Sequence, residues 1–133
     1  MHYESQLNSN PILDFDMSTP KDMGHSVEKI LLTKFLSEQQ KDLLITWMRN
    51  NTTGYKRIRA GVPLGRSVAD KTGSGSYGVA NDIGIAWSPA CKPVVLSIFT
   101  INQEKQAKPD DHIIAEVTQF IFADFKSQHQ CYK

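Results

Sequence analysis

Residues 70–74 read Asp-Lys-Thr-Gly-Ser. One short stretch thus holds a lysine ammonium, two hydroxyls and a residue with no side chain, a set suited to gathering an anion and hydrogen-bonding it. On a strand, alternation puts Lys71 and Gly73 on one face and Thr72 and Ser74 on the other. At a sheet edge such a strand can take up an acyl compound bearing a carboxylate as an added strand. Lys71 would supply positive charge, and Gly73 and Gly75 would keep side chains out of the way.

The surrounding stretch, Ala69 to Asp82, has glycines at 73, 75 and 78 and formally satisfies G-x-G-x-x-G. A dinucleotide fingerprint needs a strand, a glycine turn and then a helix whose N-terminus meets the pyrophosphate. The residues after Gly78 read instead as a second strand, with no helix start or basic residue nearby. The glycines therefore predict a hairpin with bulges, in which Gly supplies positive φ.

The elements that must position these residues follow from period and punctuation. Thr19, Pro20 and Asp22 predict a helix start with N-cap, first-turn proline and the returning acid of a capping box. Met23, Val27, Ile30, Leu31 and Phe35 recur at helical spacing behind it. Ser37 and Gln40 predict a second start, with Leu43, Leu44, Trp47 and Met48 as the buried stripe and Asn50, Asn51 and Gly54 as stop signals. Three short β-branched runs, SVADKT, DIGIAWS and PVVLSIFTI, predict strands, and their short connections favour antiparallel pairing. From Asp110 to about Lys126 a last helix is expected, opened by Asp110 or Asp111. Its broad apolar face comprises Ile113, Ile114, Val117, Phe120, Ile121 and Phe125.

The totals narrow the function classes. With 133 residues, 40% hydrophobic content and 22% charge, the chain has the make-up of one globular domain. The net charge of +1 comes from scattered lysines and arginines, so neither a nucleic-acid face nor a polybasic membrane patch is expected. The start, MHYESQLNSNP, has no signal-peptide pattern, and the longest apolar run is far short of a membrane span. Cys91 and Cys131 lack metal spacing and are open either to pairing in an oxidising compartment or to remaining two free thiols. His2, His25, His112 and His129 form no ligand spacing, and no metal or other cofactor is expected.

The stretch DKTGSGSYGVANDIGIAW resembles the K-T-G strand and following strand of class A serine β-lactamases, a family also marked by S-x-x-K and S-D-N. Three further matches lie in the family's order: ESQLN (Glu4–Asn8) with E-x-x-L-N of the Ω-loop, DMSTP (Asp16–Pro20) with its exit, and NNTTGYKRIRAGVP (Asn51–Pro63) with the stretch before K-T-G. Together they span residues 1–133 as the C-terminal half of such an enzyme: Ω-loop-like over 1–20, helices over 19–50, three strands over 66–101 and the C-terminal helix over 110–127. The fold implied is an α+β fragment of the β-lactamase/transpeptidase type, with three antiparallel strands, the C-terminal helix and part of the helical region. The unpaired edge of its inward strand, PVVLSIFTI, would invite aggregation or pairing with the absent half.

The resemblance implies hydrolysis of the β-lactam amide through an acyl-enzyme, and with it antibiotic resistance. Glu4 would be the base that activates the deacylating water, with Asn8 holding that water. Lys71 would supply positive potential, and Thr72, Gly73 and Ser74 the substrate-binding edge, with the Ser74 N–H as one oxyanion donor. Arg57 would anchor the substrate carboxylate, because the alternative arginine position on the next strand is Ala80. Arg59, Asp70 and Asp82 would form a buried structural ion cluster, one guanidinium with two acids. His2 departs from the arginine that in the family commonly pairs with the acid matched by Asp16.

The acylating serine is the gap. S-D-N is absent from the sequence, and the one S-x-x-K, Ser18 to Lys21, falls at the Ω-loop exit, where Pro20 reads as helix entry. The nucleophile helix and the S-D-N loop are expected upstream of Met1. The isolated chain is then expected to be inactive, with β-lactams (penicillins, cephalosporins and, as an open extension, carbapenems) and an N-terminal half in cis or in trans as partners. A non-catalytic β-lactam-binding or complementing fragment is the alternative, and a D-alanyl-D-alanine carboxypeptidase, which has no use for E-x-x-L-N, ranks last. The full-length bacterial protein is expected in the periplasm or outside the cell.

Overall fold

The computed structural model describes residues 17–129 and 131. Its elements in order are helices α1 (Pro20–Leu32), α2 (Glu38–Arg49) and α3 (Ile58–Gly61), strands β1 (Ser67–Ser74), β2 (Ala80–Trp87) and β3 (Val94–Thr100), and helix α4 (Asp111–Gln128). The architecture is α+β, with the strands forming one antiparallel sheet in the order β1-β2-β3. No described helix is long and apolar enough to cross a membrane.

Local chemistry sets the helix boundaries. Thr19 caps α1 by accepting the Asp22 N–H (3.1 Å) with Pro20 behind it, and its own hydroxyl donates to the Asp22 carboxylate (2.8 Å). Ser37 and Gln40 close a full capping box on α2. Asp110, not Asp111, caps α4. The four-residue α3 is an element that the sequence pattern does not announce, because one turn is too short to show a period.

The sheet is covered on both faces. Ile58, Ile114 and Phe122 of α3 and α4 pack on Ala80, Ala86, Leu96 and Ile98. On the opposite face, Val27, Leu31 and Met48 of α1 and α2 pack on Ala69 and Ile85. Period-2 alternation thus sends odd residues of β1 toward α1 and α2 and even residues toward α3 and α4. Gly84 lies where a Cβ would run into the Ala69 carbonyl and the Asp70 backbone, so the close β1–β2 approach requires glycine there.

Two expected stripes are only half buried. On α2, Leu44, Ile45 and Met48 meet the sheet, while Leu43 is 50% and Trp47 63% exposed. On α4, Ile114 is buried, but Ile113, Val117 and Phe120 lie on the outward face, Phe120 at 75% exposure. Each helix is apolar on more of its circumference than the sheet covers. The β1–β2 turn also refines the glycine reading. Ser76–Val79 form a tight turn with positive φ at Tyr77 (59°) and Gly78 (60°), closed by Val79 N–H to Ser76 O (3.3 Å). Gly73 and Gly75 are not among the positive-φ residues, and the β1–β2 register runs without a bulge from Ser67↔Trp87 to Ser74↔Ala80.

Candidate active site

Among the described residues β1 pairs with β2 alone, so its other edge is open. Lys71 faces the α1/α2 side, where it borders a largely apolar cleft of about 520 Å³ lined by Val27, Leu31, Trp47 and Ile83 among others. Its ammonium donates to the Thr72 carbonyl at 2.5 Å. Thr72 and Ser74 face the other way, toward the connection between α2 and α3. The predicted alternation holds, and the site straddles the strand.

Arg57, at the N-terminal boundary of α3, is 4% exposed and therefore not a solvated surface cation. Its Nε donates to Asp111 Oδ1 (2.7 Å), Nη1 to the Gly73 and Asn81 carbonyls (2.8 Å each) and Nη2 to Ser74 Oγ (2.5 Å). Of the five guanidinium N–H groups, at most one on Nη2 is left for a ligand. A buried charge needs such satisfaction, and Asp111 in the first turn of α4 supplies the countercharge. The sequence reading offered Asp111 only as a cap. A carboxylate far along the chain reaches Arg57 only because α4 folds back beside α3.

The other side of the site is a chain of short polar contacts. Asn51 Nδ2 donates to Asp70 Oδ2 (2.6 Å), and Asn51 Oδ1 accepts from the Thr53 N–H (3.2 Å) and the Thr53 hydroxyl (2.8 Å). The Thr53 hydroxyl in turn contacts the Thr72 hydroxyl. Asn51 and Thr53 belong to the stretch that resembles the family's, yet nothing in their types distinguishes them from ordinary turn formers. Gly54 admits this arrangement, because a Cβ there would overlap the Asp70 carboxylate.

The expected ion cluster is present as neighbours but not as one guanidinium holding two acids. Arg59 pairs with Asp70 and spends Nη2 on the Met48 and Arg49 carbonyls (2.9 and 2.8 Å), closing the last turn of α2. Asp82, fully buried, accepts the Ile58 N–H (3.1 Å), and its Oδ1 has no partner among the described residues. Burial, and then the facing Asp70 carboxylate, push the Asp82 pKa up to about 7, against the opposing pull of the Ile58 N–H and Arg57. Among the described residues the neighbouring arginines pair with Asp111 and Asp70 and not with Asp82, so burial dominates its shift.

Glu4 and Asn8 lie outside the described residues, as do His2 and Asp16. Ser18 and Lys21 sit at the entry to α1, as Thr19 and Pro20 predict. Among the described residues no group of three His, Cys, Asp or Glu side chains could hold a metal ion. Cys91 and Cys131, left open by sequence, form a disulfide with Cα atoms 5.5 Å apart.

Comparison with known proteins agrees with this architecture. The sequence model of the β-lactamase enzyme family matches residues 3–125. The chain is 46% identical over 125 residues to β-lactamase 3 of Bacillus cereus, covering 93% of this chain and 40% of the relative. To an imipenem-hydrolyzing β-lactamase of Enterobacter cloacae it is 42% identical over 126 residues, 93% of this chain and 43% of that one. Among solved structures, a class A β-lactamase from Clostridium kluyveri DSM 555 superimposes with a TM-score of 0.79 at 41% identity, over 82% of this chain and 42% of that one. The chain belongs to the β-lactamase enzyme family, on the class A branch. It spans about 40% of the length of the curated relatives it matches.

Proposed function

We propose that residues 1–133 form the part of a class A serine β-lactamase that binds the substrate carboxylate and drives deacylation. The observation that supports this best is the buried Arg57 guanidinium seated behind an open edge strand, donating to Ser74 Oγ. Because arginine has only donors, Ser74 must accept from it, and its hydroxyl hydrogen remains for an incoming carboxylate. Lys71, at the same edge, adds an exposed positive charge. In this reading Thr72 and Gly73 complete the binding edge and the Ser74 N–H is one oxyanion donor. Glu4 activates the water that attacks the acyl-enzyme ester while Asn8 holds that water, and the proton passes from water to the Glu4 carboxylate. The acylating serine comes from an N-terminal half, in cis or in trans. The substrates are β-lactams as a class, and Arg59, Asp70 and Asp82 hold the floor of the site in place.

A complementing fragment is the second reading, favoured by the outward apolar faces at Leu43 and Trp47 and at Ile113, Val117 and Phe120. Export to the periplasm or exterior is proposed with both readings and is supported by the Cys91–Cys131 disulfide.

One reconstitution tests both. The chain is co-refolded with the N-terminal part of the Bacillus cereus relative and assayed with a chromogenic cephalosporin. Turnover is expected only in the mixture, and Glu4→Gln should leave an acyl adduct on the N-terminal chain, seen by intact mass, with turnover lowered at least about 1,000-fold. Complex formation with neither turnover nor adduct would leave complementation standing without catalysis. Turnover by the 133-residue chain alone would refute the division of labour.

A further inference from the structure

At the edge strand the Thr72 hydroxyl contacts the Thr53 hydroxyl, and the Ser74 hydroxyl accepts from Arg57. Asp70 has one carboxylate oxygen on Arg59, and its Oδ2 receives the Asn51 amide N–H at 2.6 Å. A carboxylate in that pairing accepts, so the Asn51 NH2 must face it and the amide oxygen must face Thr53. That oxygen takes both the Thr53 N–H and the Thr53 hydroxyl hydrogen, at 3.2 and 2.8 Å. A threonine hydroxyl has a single hydrogen, so toward Thr72 Thr53 has only lone pairs to offer. The close Thr53–Thr72 contact then requires Thr72 to donate. Ser74, two residues on, is in the reverse position, because Arg57 Nη2 donates to it and its hydrogen has no acceptor among the described residues.

We infer that Thr53 is a positioning residue that draws the Thr72 hydroxyl hydrogen away from the open edge. In the ligand-free site Ser74 offers a hydrogen to a carboxylate and Thr72 offers lone pairs. The inference rests on the reading of residues 71–74 as the carboxylate site. A carboxylate meeting Thr72 must either forgo that hydrogen bond or break the Thr72–Thr53 contact. A ligand N–H or O–H opposite Thr72 meets no such conflict. Thr53 thereby limits anion capture and favours ligands that place a donor there.

The test uses the full chain, its Thr53→Val and Thr53→Ala variants without the competing acceptor, and Thr53→Ser, which restores it. Without ligand, the scalar couplings that report the Thr72 χ1 rotamer are expected to show one rotamer in the parent chain and in Thr53→Ser, and averaging in Thr53→Val and Thr53→Ala. With benzylpenicillin as probe, followed by the amide signals of Gly73 and Ser74, both hydroxyl-deleting variants should bind about fivefold more tightly, one hydrogen bond's worth, and Thr53→Ser as the parent does. Unchanged couplings in both deletion variants, or weaker binding by them, would overturn the inference. If benzylpenicillin shifts no amide in any variant while the couplings respond as expected, the polarity stands and the carboxylate-site reading fails.

Discussion

Asp82→Asn should flatten the pH dependence of stability between about pH 4 and pH 7. Buried Asp82 titrates near 7 in the folded chain, against a reference value of 3.8. Over that interval the folded chain holds a proton that the unfolded chain has released, so stability falls as pH rises and levels off once both states are ionised. Below about pH 3 both states hold the proton and nothing is lost. A separation of about three units corresponds to a loss of about 4 kcal/mol by pH 8. The groups facing Asp82 are the Asp70 carboxylate from β1, and Arg57 and the Ile58 N–H from the start of α3. An asparagine can still accept from Ile58 and can donate to Asp70, so it imitates the protonated acid without ionising. Urea unfolding followed through Trp47 and Trp87 should find parent and variant alike near pH 4. At pH 8 the variant should be the more stable by up to about 4 kcal/mol. Parallel curves across that range would mean that Arg57 outweighs burial and that Asp82 is ionised throughout.

Two further perturbations test the frame around the site. Reducing the Cys91–Cys131 disulfide, which closes a separation of 40 residues between the β2–β3 connection and the end of α4, should lower stability by about 4 kcal/mol. The check is urea unfolding with and without reductant, and the unreduced, denatured chain should present no titratable thiol. Gly84→Ala should destabilise by about 3 kcal/mol or more, because the added Cβ meets backbone atoms that a rotamer change cannot move. An alanine variant with the parent's unfolding midpoint would show that β1 and β2 can separate at no cost.

Elements whose ends are set by local chemistry were legible from sequence: Thr19 with Pro20, Ser37 with Gln40, and the glycine-bounded strands each act over a few residues. What the sequence concealed depends on which surfaces meet. Leu43 and Trp47 lie on the same helix as Met48 and match its hydrophobicity, but the sheet reaches only one side of α2. Within the site, the residue types from Lys71 to Ser74 and the proximity of Arg57 followed from the motifs, whereas Asp111 as the countercharge did not. It lies 54 residues from Arg57 and is also a plausible helix cap. Asp82 illustrates the same limit: a sequence shows two acids and an arginine, but not that the arginine is already committed to one acid and two carbonyls.

A similar commitment at Arg57 bears on how the proposed site would attract an anion. Arg57 is neutralised at 2.7 Å by Asp111 and turns most of its N–H groups inward, so its charge at the open edge is much reduced. Its effect on a ligand passes mainly through Ser74, whose hydroxyl it fixes as a donor. Lys71, exposed and bonded among the described residues to a carbonyl alone, is left as the main source of positive potential at the edge. On the proposed carboxylate-site reading the two cations would have separate roles. Lys71 would supply long-range attraction, which salt screens, and Arg57 orientation at contact, which salt leaves intact. Removing the Lys71 charge should weaken the salt dependence of anion binding, whereas removing the Ser74 hydroxyl should lower affinity by a similar factor at every ionic strength.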